Sequence, residues 1–576
     1  MSAERLLEHI ARNARSEPDA EAFIFLRGDG LERRFSRAEF QALTDSWAST
    51  MRASGLGRQD RLAIALPNGP HAIAAFLAAL RLGSWPALLP SSLVRGGEEA
   101  FVRRTLGLSR QARLRLVVAS PADAHLLERP LREVGCGLLS EPGRSADLPA
   151  SPTEADPKLD EVAYLQLSSG TTGRQKAILM PGDGVARHLD DYSRFLGVSD
   201  RDVVTSWLPL FHDMGLMAGA LLPLWNGIPA VILTPQEWVR RPALLLEALH
   251  RHRGSLTWMP NFAFAHCVRG VHPRQIQGLD LSCLRVATNG SEMVRPATLE
   301  AFTESFLPRG LRPEAVTPGY GMAENTMAIS STLPGAPPRV DWIRRLPLQA
   351  EGRAVPEEPG RQRVSGVASC GPPIPNVDLQ IVDEKGEPLP ERRVGEVRLR
   401  SPYLFVGYLD RPDLTEQAMA DGWLRSGDLG YLADGEVHLT GRIKDLIIVG
   451  GRNIYPEDVE EAACQATGLR SGRLAAFGVE DEAAGTESVV LVVEAGGTAR
   501  AGAPALEAAI RRAVWDDCEL ALREVRFVPV GWIEKTTSAK VARGANREKY
   551  LAETARSSPN IEPSVGGAAG SSGMFP

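Results

Sequence analysis

Residues 165–176, LQLSSGTTGRQK, contain the strongest local indication of fold and function in the chain. The apolar start predicts a buried strand that runs into a loop of glycine, serine and threonine. Glycines let backbone N–H groups approach an anion closely, hydroxyls add donors, and a lysine adds positive charge. The segment is therefore a candidate phosphate-binding loop, although its composition is also typical of a flexible connection. The candidate contact residues are Ser168, Ser169, Gly170, Thr171, Thr172, Gly173 and Lys176.

Two better-known loop motifs are absent from the sequence. No G-K-[ST] follows a glycine-rich stretch, which excludes a Walker A loop. No G-x-S-x-G occurs either, which excludes the nucleophile elbow of the α/β-hydrolases.

The region before the loop predicts alternating strands and helices. Ser36 and Glu39 have the spacing of a capping box and predict the start of a helix. Residues 61–67 read as a short buried strand, 71–81 as a helix and 86–90 as another strand. A strand, a helix and a second strand in this order predict a βαβ unit, and so an α/β fold with a largely parallel sheet.

Composition limits the class of protein. The 576 residues are 43% hydrophobic and 24% charged, which excludes a disordered chain. The formal charge of -6 argues against a dedicated nucleic-acid binder. The six cysteines have no C-x-x-C spacing, so a cysteine zinc site is not expected. Charged residues interrupt the N-terminal segment and no apolar run is long enough to span a bilayer, so we expect a cytoplasmic enzyme without an integral membrane segment.

The sequence pattern divides the chain into three parts. Residues 1–443 predict a large domain of mixed sheets and helices, with a surface insertion rich in proline, arginine and glycine at 333–366. Residues 444–555 predict a small α+β domain, with helices at 456–466 and 505–514 and strands at 474–479, 488–493 and 525–530. Residues 556–576 are rich in glycine, serine, alanine and proline and predict a disordered tail.

Three further motifs carry groups that suit a nucleotide. In 317–325, TPGYGMAEN, Tyr320 can stack on a flat ring and Glu324 can hold a hard cation. In 423–445, Asp428 can accept from two ribose hydroxyls and Arg442 can donate to the same sugar. The alternative interpretation of 317–325 is a turn before a helix, and that of 423–445 is a salt-bridged turn. Lys540 ends a polar loop, KTTSAK, near the C-terminal end.

The order and spacing of these motifs resemble the acyl-adenylate-forming superfamily, which includes acyl-CoA synthetases, nonribosomal adenylation domains and luciferases. The resemblance covers about residues 5–550. The segments WLPLFHDMGL (207–216), PNFAF (260–264) and SCG (369–371) are most similar to the fatty acyl-AMP ligases. Those ligases typically carry an insertion at the position of residues 333–366, which is thought to hinder the use of coenzyme A.

The resemblance implies a role for each matching residue. Loop 168–176 would wrap the phosphates of ATP, Glu324 would hold Mg²⁺, and Asp428 and Arg442 would bind ribose. Lys444 would be the hinge of the small domain, and Lys540 would reach the α-phosphate and the carboxylate during adenylation. The implied adenine pocket comprises Gly290, Ser291, Glu292 and Tyr320, and Gly321 and Met322 are further implied nucleotide-binding residues. The implied acyl-binding residues are Phe211, His212, Asn261 and Phe262.

The implied activity is the ATP-dependent conversion of a carboxylic acid, most simply a fatty acid, to acyl-AMP with release of pyrophosphate. The acyl group would then pass to the phosphopantetheine thiol of an acyl carrier protein or of a polyketide or nonribosomal carrier domain. An acyl-CoA synthetase is the alternative. An amino-acid adenylation domain is disfavoured because those enzymes usually have an aspartate at the position of His212. An inactive scaffold is disfavoured because it needs neither Lys540 nor Glu324.

Overall fold

The computed structural model describes residues 3–93, 97–143, 161–167, 176–361, 363–470, 472–481, 485–496, 503–536 and 540–557. The candidate loop residues 168–173 lie outside these ranges, whereas Lys176 lies inside them. Residues 558–576 of the predicted tail also lie outside the described residues, so the prediction of disorder there stays a prediction.

The strands are numbered in chain order. They are β1 (Glu21–Leu26), β2 (Glu32–Ser36), β3 (Arg61–Ala65), β4 (Trp85–Leu88), β5 (Leu116–Ala119), β6 (Gly137–Leu139), β7 (Val162–Leu167), β8 (Ala177–Pro181), β9 (Val204–Ser206), β10 (Ala230–Ile232), β11 (Leu256–Met259), β12 (Val286–Asn289), β13 (Val316–Gly321), β14 (Ala328–Ser331), β15 (Val340–Arg344), β16 (Val364–Ala368), β17 (Asp378–Val382), β18 (Gly395–Arg400), β19 (Gly407–Tyr408), β20 (Met419–Ala420), β21 (Trp423–Ala433), β22 (Glu436–Arg442), β23 (Ile447–Val449), β24 (Arg452–Ile454), β25 (Leu474–Asp481), β26 (Thr486–Glu494) and β27 (Glu524–Val528).

The helices are numbered in the same way. They are α1 (Glu4–Ser16), α2 (Arg37–Ala53), α3 (Pro70–Arg81), α4 (Gly97–Gln111), α5 (Pro121–Glu133), α6 (Gly182–Leu196), α7 (Asp213–Leu216), α8 (Leu222–Asn226), α9 (Pro235–Arg240), α10 (Ala243–Arg251), α11 (Asn261–Gly270), α12 (Pro296–Phe306), α13 (Arg345–Glu351), α14 (Pro412–Ala418), α15 (Pro456–Thr467), α16 (Ala503–Cys518) and α17 (Arg543–Ser557). A π-helical turn (Met217–Leu221) joins α7 to α8.

Two large sheets form the core of the molecule. One has the strand order β14-β13-β12-β11-β9-β10-β1-β2 and the other β19-β8-β7-β4-β3-β5-β6. β3 and β4 pair in parallel on either side of α3, which confirms the predicted βαβ unit. α3 is buried on every side from Ala72 to Leu80, and its side chains join a core cluster that includes strands of both sheets. A helix that is apolar all round belongs in such an interior position.

Two smaller sheets follow. β17, β18, β21 and β20 form one in that order, with β22 paired to β21. β25, β26 and β27 form the other, and α15 and α16 share a hydrophobic core with it. The predicted α/β fold with mixed sheets, followed by a smaller α+β part, is confirmed. α17 extends through Ser557 and so includes the first two residues, 556 and 557, of the predicted tail.

The insertion at 333–366 has regular structure. β15 pairs with β16 in an antiparallel hairpin, and α13 lies between them in sequence. Side chains of this segment pack with Tyr431 of β21 and with Tyr455, which precedes α15. The insertion therefore shares one apolar cluster with residues of the large part and of the small part of the chain.

No helix among the described stretches combines the length and the apolar character needed to cross a bilayer.

Candidate active site

A cavity of about 640 Å³ lies at the carboxyl ends of the parallel strands β9, β11, β12 and β13. Open α/β sheets bind ligands at this edge because the loops that follow neighbouring strands meet there. The structure brings most of the predicted site residues to this cavity. Those that line it are Lys176, Phe211, His212, Gly290, Ser291, Tyr320, Gly321, Met322, Glu324, Asp428, Arg442, Lys444 and Lys540.

Asp428 is held between Tyr320 and Arg442. Asp428 on β21 and Arg442 on β22 are paired in register, which places Arg442 Nε 3.0 Å from Asp428 Oδ1. The Tyr320 hydroxyl donates to Asp428 Oδ2 over 2.7 Å. Asp428 raises the pKa of Arg442, while burial and then Asp428 raise the pKa of Tyr320. Each carboxylate oxygen has two lone pairs, so this salt-bridged carboxylate can also accept hydroxyls from a ligand.

Glu324 provides a carboxylate beside Tyr408. The Tyr408 hydroxyl donates to Glu324 Oε1 over 2.8 Å, and Lys176 Nζ lies 4.4 Å from the centre of the Tyr408 ring. Burial raises the pKa of Glu324, although Tyr408 and Lys176 act in the opposite direction. A nearby cation would therefore relieve a desolvated carboxylate.

Glu324 fits one particular way of binding Mg²⁺. This ion is usually held by one or two carboxylates together with substrate phosphates. Among the residues that the structure describes, no three His, Cys, Asp or Glu side chains form a metal-binding group. A single carboxylate here suits an ion that arrives with a phosphate.

Lys540 reaches the cavity from the loop before α17. Its backbone forms a turn with Thr536, whose N–H donates to the Lys540 carbonyl over 2.8 Å. Burial and Arg442 lower the pKa of Lys540, while Asp213, Glu292 and Asp428 raise it. Lys540 thus interacts with one cationic and three anionic side chains, and two of these four, Arg442 and Asp428, are predicted to bind ATP.

His212 and its neighbour Asp213 form a second pair at the cavity wall. His212 Nδ1 lies 2.6 Å from Asp213 Oδ1, and His212 Nε2 lies 3.3 Å from Ser291 Oγ. Asp213 also lines the cavity, and the Met214 N–H donates to its Oδ1 over 2.6 Å. The sequence patterns singled out His212 and Ser291 but not Asp213. The adjacent His-Asp pair in HDMGL was the signal that could have identified it.

Three predicted residues do not line the cavity and lie beside its wall. Asn261 Oδ1 accepts from Asn289 Nδ2 and from the Arg295 N–H, both over 3.1 Å. Phe262 packs edge-on against Trp207 and Trp238. Glu292 accepts from the Phe262 N–H, and burial raises its pKa. These contacts fix the loop that carries Ser291, and the binding roles of the three residues stay predictions.

The structure adds lining residues that sequence patterns did not single out. Tyr192 of α6 and Trp258 of β11 both line the cavity, and Trp258 Nε1 donates to the Tyr192 hydroxyl over 3.1 Å. Both side chains are almost completely buried. In the sequence they are indistinguishable from core residues, because nothing local shows that a cavity reaches them.

A family model described as AMP-binding enzyme matches residues 10–409. The chain belongs to this family. The long-chain-fatty-acid–AMP ligase FadD26 of Mycobacterium marinum is 32% identical over 585 residues, covering 94% of this chain and 97% of the relative. The medium-chain-fatty-acid–[acyl-carrier-protein] ligase JamA of Moorena producens is 36% identical over 412 residues, covering 69% of each chain.

A solved structure from a study of fatty acyl-adenylate ligases of E. coli and L. pneumophila has the same fold. It superposes with a TM-score of 0.87 at 27% identity and covers 96% of this chain and 98% of its own. The resemblance to the acyl-adenylate-forming superfamily and to the fatty acyl-AMP ligases is thereby confirmed. The chain is an acyl-adenylate-forming ligase that adenylates a fatty or other carboxylic acid, with ATP as the adenylating substrate.

Proposed function

We propose that this ligase activates a fatty acid as acyl-AMP and then transfers the acyl group to the phosphopantetheine thiol of a carrier protein or carrier domain. The observation that carries the proposal is the position of Lys540, which lines one cavity with Glu324, Asp428 and Arg442. A scaffold would need none of these groups to converge. The name of JamA, an acyl-carrier-protein ligase, supports the kind of acceptor.

The first step needs charge stabilisation and no general base. A carboxylate is already ionised at pH 7, so the barrier to its attack on the α-phosphorus is repulsion between anions. Lys540 is the cation that reduces this repulsion, and Lys176 adds charge at the end of the candidate phosphate loop. Leu167 and Lys176, which flank that loop, both line the cavity. Mg²⁺, when bound with the nucleotide at Glu324, adds further neutralisation of phosphate charge.

The nucleotide is positioned by the remaining groups of the cavity. Asp428 and Arg442 bind the ribose hydroxyls, and Tyr320 stacks on the base. Gly290, Ser291, Gly321 and Met322 line the cavity with that ring. Glu292, Asn261 and Phe262 act from behind this wall.

The second step requires the small part of the chain to move. We place the boundary between residues 443 and 444, with Lys444 as the hinge of the mobile segment 444–555. In the present arrangement Lys540 occupies the cavity, as adenylation requires. Movement about Lys444 withdraws Lys540 and opens a path for the thiol.

The insertion supports a carrier protein as the acceptor in preference to free coenzyme A. Arg345 donates to the Asp517 carbonyl over 2.7 Å, and Arg363 forms a 2.5 Å ion pair with Glu519. Gln349 accepts from Arg452. The first residue of each pair belongs to the insertion and the second to the mobile segment. These bonds oppose the movement that opens a coenzyme A path, whereas a carrier domain can offset their loss with contacts of its own surface.

The test is ATP–pyrophosphate exchange with a panel of medium-chain and long-chain fatty acids. We expect exchange that depends on both the acid and Mg²⁺. Absence of exchange with every fatty acid, in a protein that still melts cooperatively, would contradict the fatty-acid assignment.

A further inference from the structure

The shortest contact of His212 indicates which ring nitrogen carries the proton. An ionised carboxylate only accepts hydrogen bonds, so the 2.6 Å contact with Asp213 places the proton on Nδ1. The Met214 N–H also lies 3.3 Å from Nδ1, but its shorter bond, over 2.6 Å, goes to the same Asp213 oxygen. Nε2 therefore keeps its lone pair, and the Ser291 hydroxyl at 3.3 Å is the donor to it.

The surrounding charges keep Asp213 ionised. Burial alone would raise the pKa of Asp213, but His212, the Met214 N–H and Lys540 hold it below its ordinary value. The ionisable groups that interact with Asp213 from the neighbouring elements are Tyr164 on β7, Glu324 after β13 and Lys540 before α17, and Glu292 after β12 interacts in turn with Lys540. Asp213 therefore acts as a hydrogen-bond acceptor for the imidazole.

Adenylation has no use for a base, whereas transfer to a thiol does. An alkyl thiol has a pKa of about 8.5, so only about 3% of it is thiolate at pH 7. The thiolate is the nucleophile. His212 lines the cavity, and an imidazole with a free lone pair is a group that can remove this proton at neutral pH.

We propose that His212 is the general base of the transfer step and that Asp213 is the residue that positions it. The inference rests on the thiol acceptor of the proposed function. The S–H proton moves to His212 Nε2 as sulfur forms its bond to the acyl carbon. The bond from that carbon to the phosphate oxygen of AMP breaks, and AMP leaves with the electron pair. The imidazolium afterwards releases the proton to water.

The pair is in the right part of the molecule for this role. His212 and Asp213 follow β9, and Ser291 follows β12, so all three belong to the segment before residue 443. They stay beside the cavity when Lys540 is withdrawn. The base is thus in place in the arrangement in which the thiol enters.

The experiment measures single-turnover transfer from chemically made dodecanoyl-AMP, so that adenylation does not enter the rate. The acceptors are pantetheine and a holo acyl carrier protein, and the thioester is quantified by mass spectrometry. For His212→Gln we expect a loss of about 10- to 30-fold at pH 7, limited by the thiolate fraction. The loss should shrink to about twofold or less at pH 9, where most of the thiol ionises unaided. A loss that is the same at both pH values would show a merely structural role and would overturn the proposal.

Two further variants separate the base from its positioning residue. The amide of Asp213→Asn can donate to Nδ1, which favours the tautomer with the proton on Nε2, so we expect a similar loss at pH 7 with the imidazole still present. His212→Ala should regain transfer on addition of free imidazole. His250→Gln, an exposed histidine that contacts Asp280, is the matched control and should transfer normally.

The outcomes distinguish this inference from the proposed function. If the wild-type enzyme transfers the acyl group and both His212→Gln and Asp213→Asn transfer it equally fast at pH 7, the role of the pair is overturned. The acceptor assignment then still stands. Absence of transfer by the wild-type enzyme to both thiols overturns the acceptor assignment, and the role of His212 falls with it.

Discussion

At the scale of single residues, two buried groups of the cavity have pKa values shifted toward neutrality. Burial raises the pKa of Glu324 and lowers that of Lys540. Adenylation needs Glu324 ionised to hold a cation and Lys540 protonated to meet phosphate charge. In the profile of kcat/KM for ATP, which reports the free enzyme, the acid limb should therefore lie above the ordinary pKa of a glutamate, and the alkaline limb below that of a lysine.

A pH profile of ATP–pyrophosphate exchange checks this expectation. Lys540→Arg keeps the positive charge at any accessible pH, so its alkaline limb should disappear. An alkaline limb that persists unchanged in Lys540→Arg would show that another group titrates there.

Lys540→Ala should abolish adenylation with little change in fold. A positioned donor at developing charge is worth about 3–4 kcal/mol, or roughly 100- to 1000-fold in rate. Transfer from pre-made acyl-AMP should be largely retained. The matched control is Lys385→Ala, an exposed lysine in the turn after β17. If exchange by Lys540→Ala fell by less than tenfold, the role of this lysine would be wrong.

Asp428→Ala should weaken ATP binding. Loss of a carboxylate that accepts ligand hydroxyls costs about 1.5–3 kcal/mol, which the KM for ATP reports. Tyr320→Phe is the companion variant, because it removes only the 2.7 Å bond to Asp428 and keeps the ring. An unchanged KM together with a large fall in melting temperature would leave Asp428 as a purely structural salt bridge.

At the scale of elements, local patterns were sufficient where local contacts decide the structure. The predicted capping box is present, because Ser36 Oγ accepts from the Glu39 N–H and the Glu39 side chain accepts from the Ser36 N–H. The insertion could not be predicted in this way. β15 and β16 pair across a gap of about twenty residues, and α13 is held by contacts with distant segments. Such non-local contacts leave no periodic pattern in the sequence.

The insertion gives a prediction at this scale. Arg345→Ala combined with Arg363→Ala removes two bonds to the mobile segment and leaves the β15–β16 hairpin intact. We expect acyl-CoA formation to rise in this variant. Arg339→Ala is the control, because Arg339 pairs with Glu436 of β22 and not with the mobile segment. Equal acyl-CoA formation by the wild type, the double variant and the control would contradict the proposed role of the insertion.

At the scale of the whole molecule, residues far apart in sequence hold the adenylation arrangement. Arg295, before α12, pairs with Glu461 of α15 at 2.5 Å and donates to the Glu457 carbonyl over 3.1 Å. Arg295→Ala should therefore shift the population away from this arrangement by about 1 kcal/mol, or roughly fivefold. Exchange should fall relative to transfer. Arg274→Ala, an exposed control, should leave the ratio of the two rates unchanged.

The site illustrates what sequence can and cannot predict at this scale. Lys540, Asp428 and Glu324 could be predicted because each lies in a short sequence motif with a recognisable order of residues. Tyr192 and Trp258 were missed because only the packing of α6 against β11 brings them to the cavity. Asn261 and Phe262 were assigned to the acyl site by resemblance; they lie beside the cavity wall, and their binding roles stay predictions.

The most direct test of fatty-acid activation followed by transfer to a carrier protein is mass spectrometry of the products that the full chain forms from a panel of fatty acids. Each reaction contains ATP and Mg²⁺, with either coenzyme A or a set of holo carrier proteins. We expect acyl-AMP without an acceptor, acyl-carrier thioester with at least one carrier, and little acyl-CoA. Robust acyl-CoA formation without any acyl-carrier product would contradict this expectation.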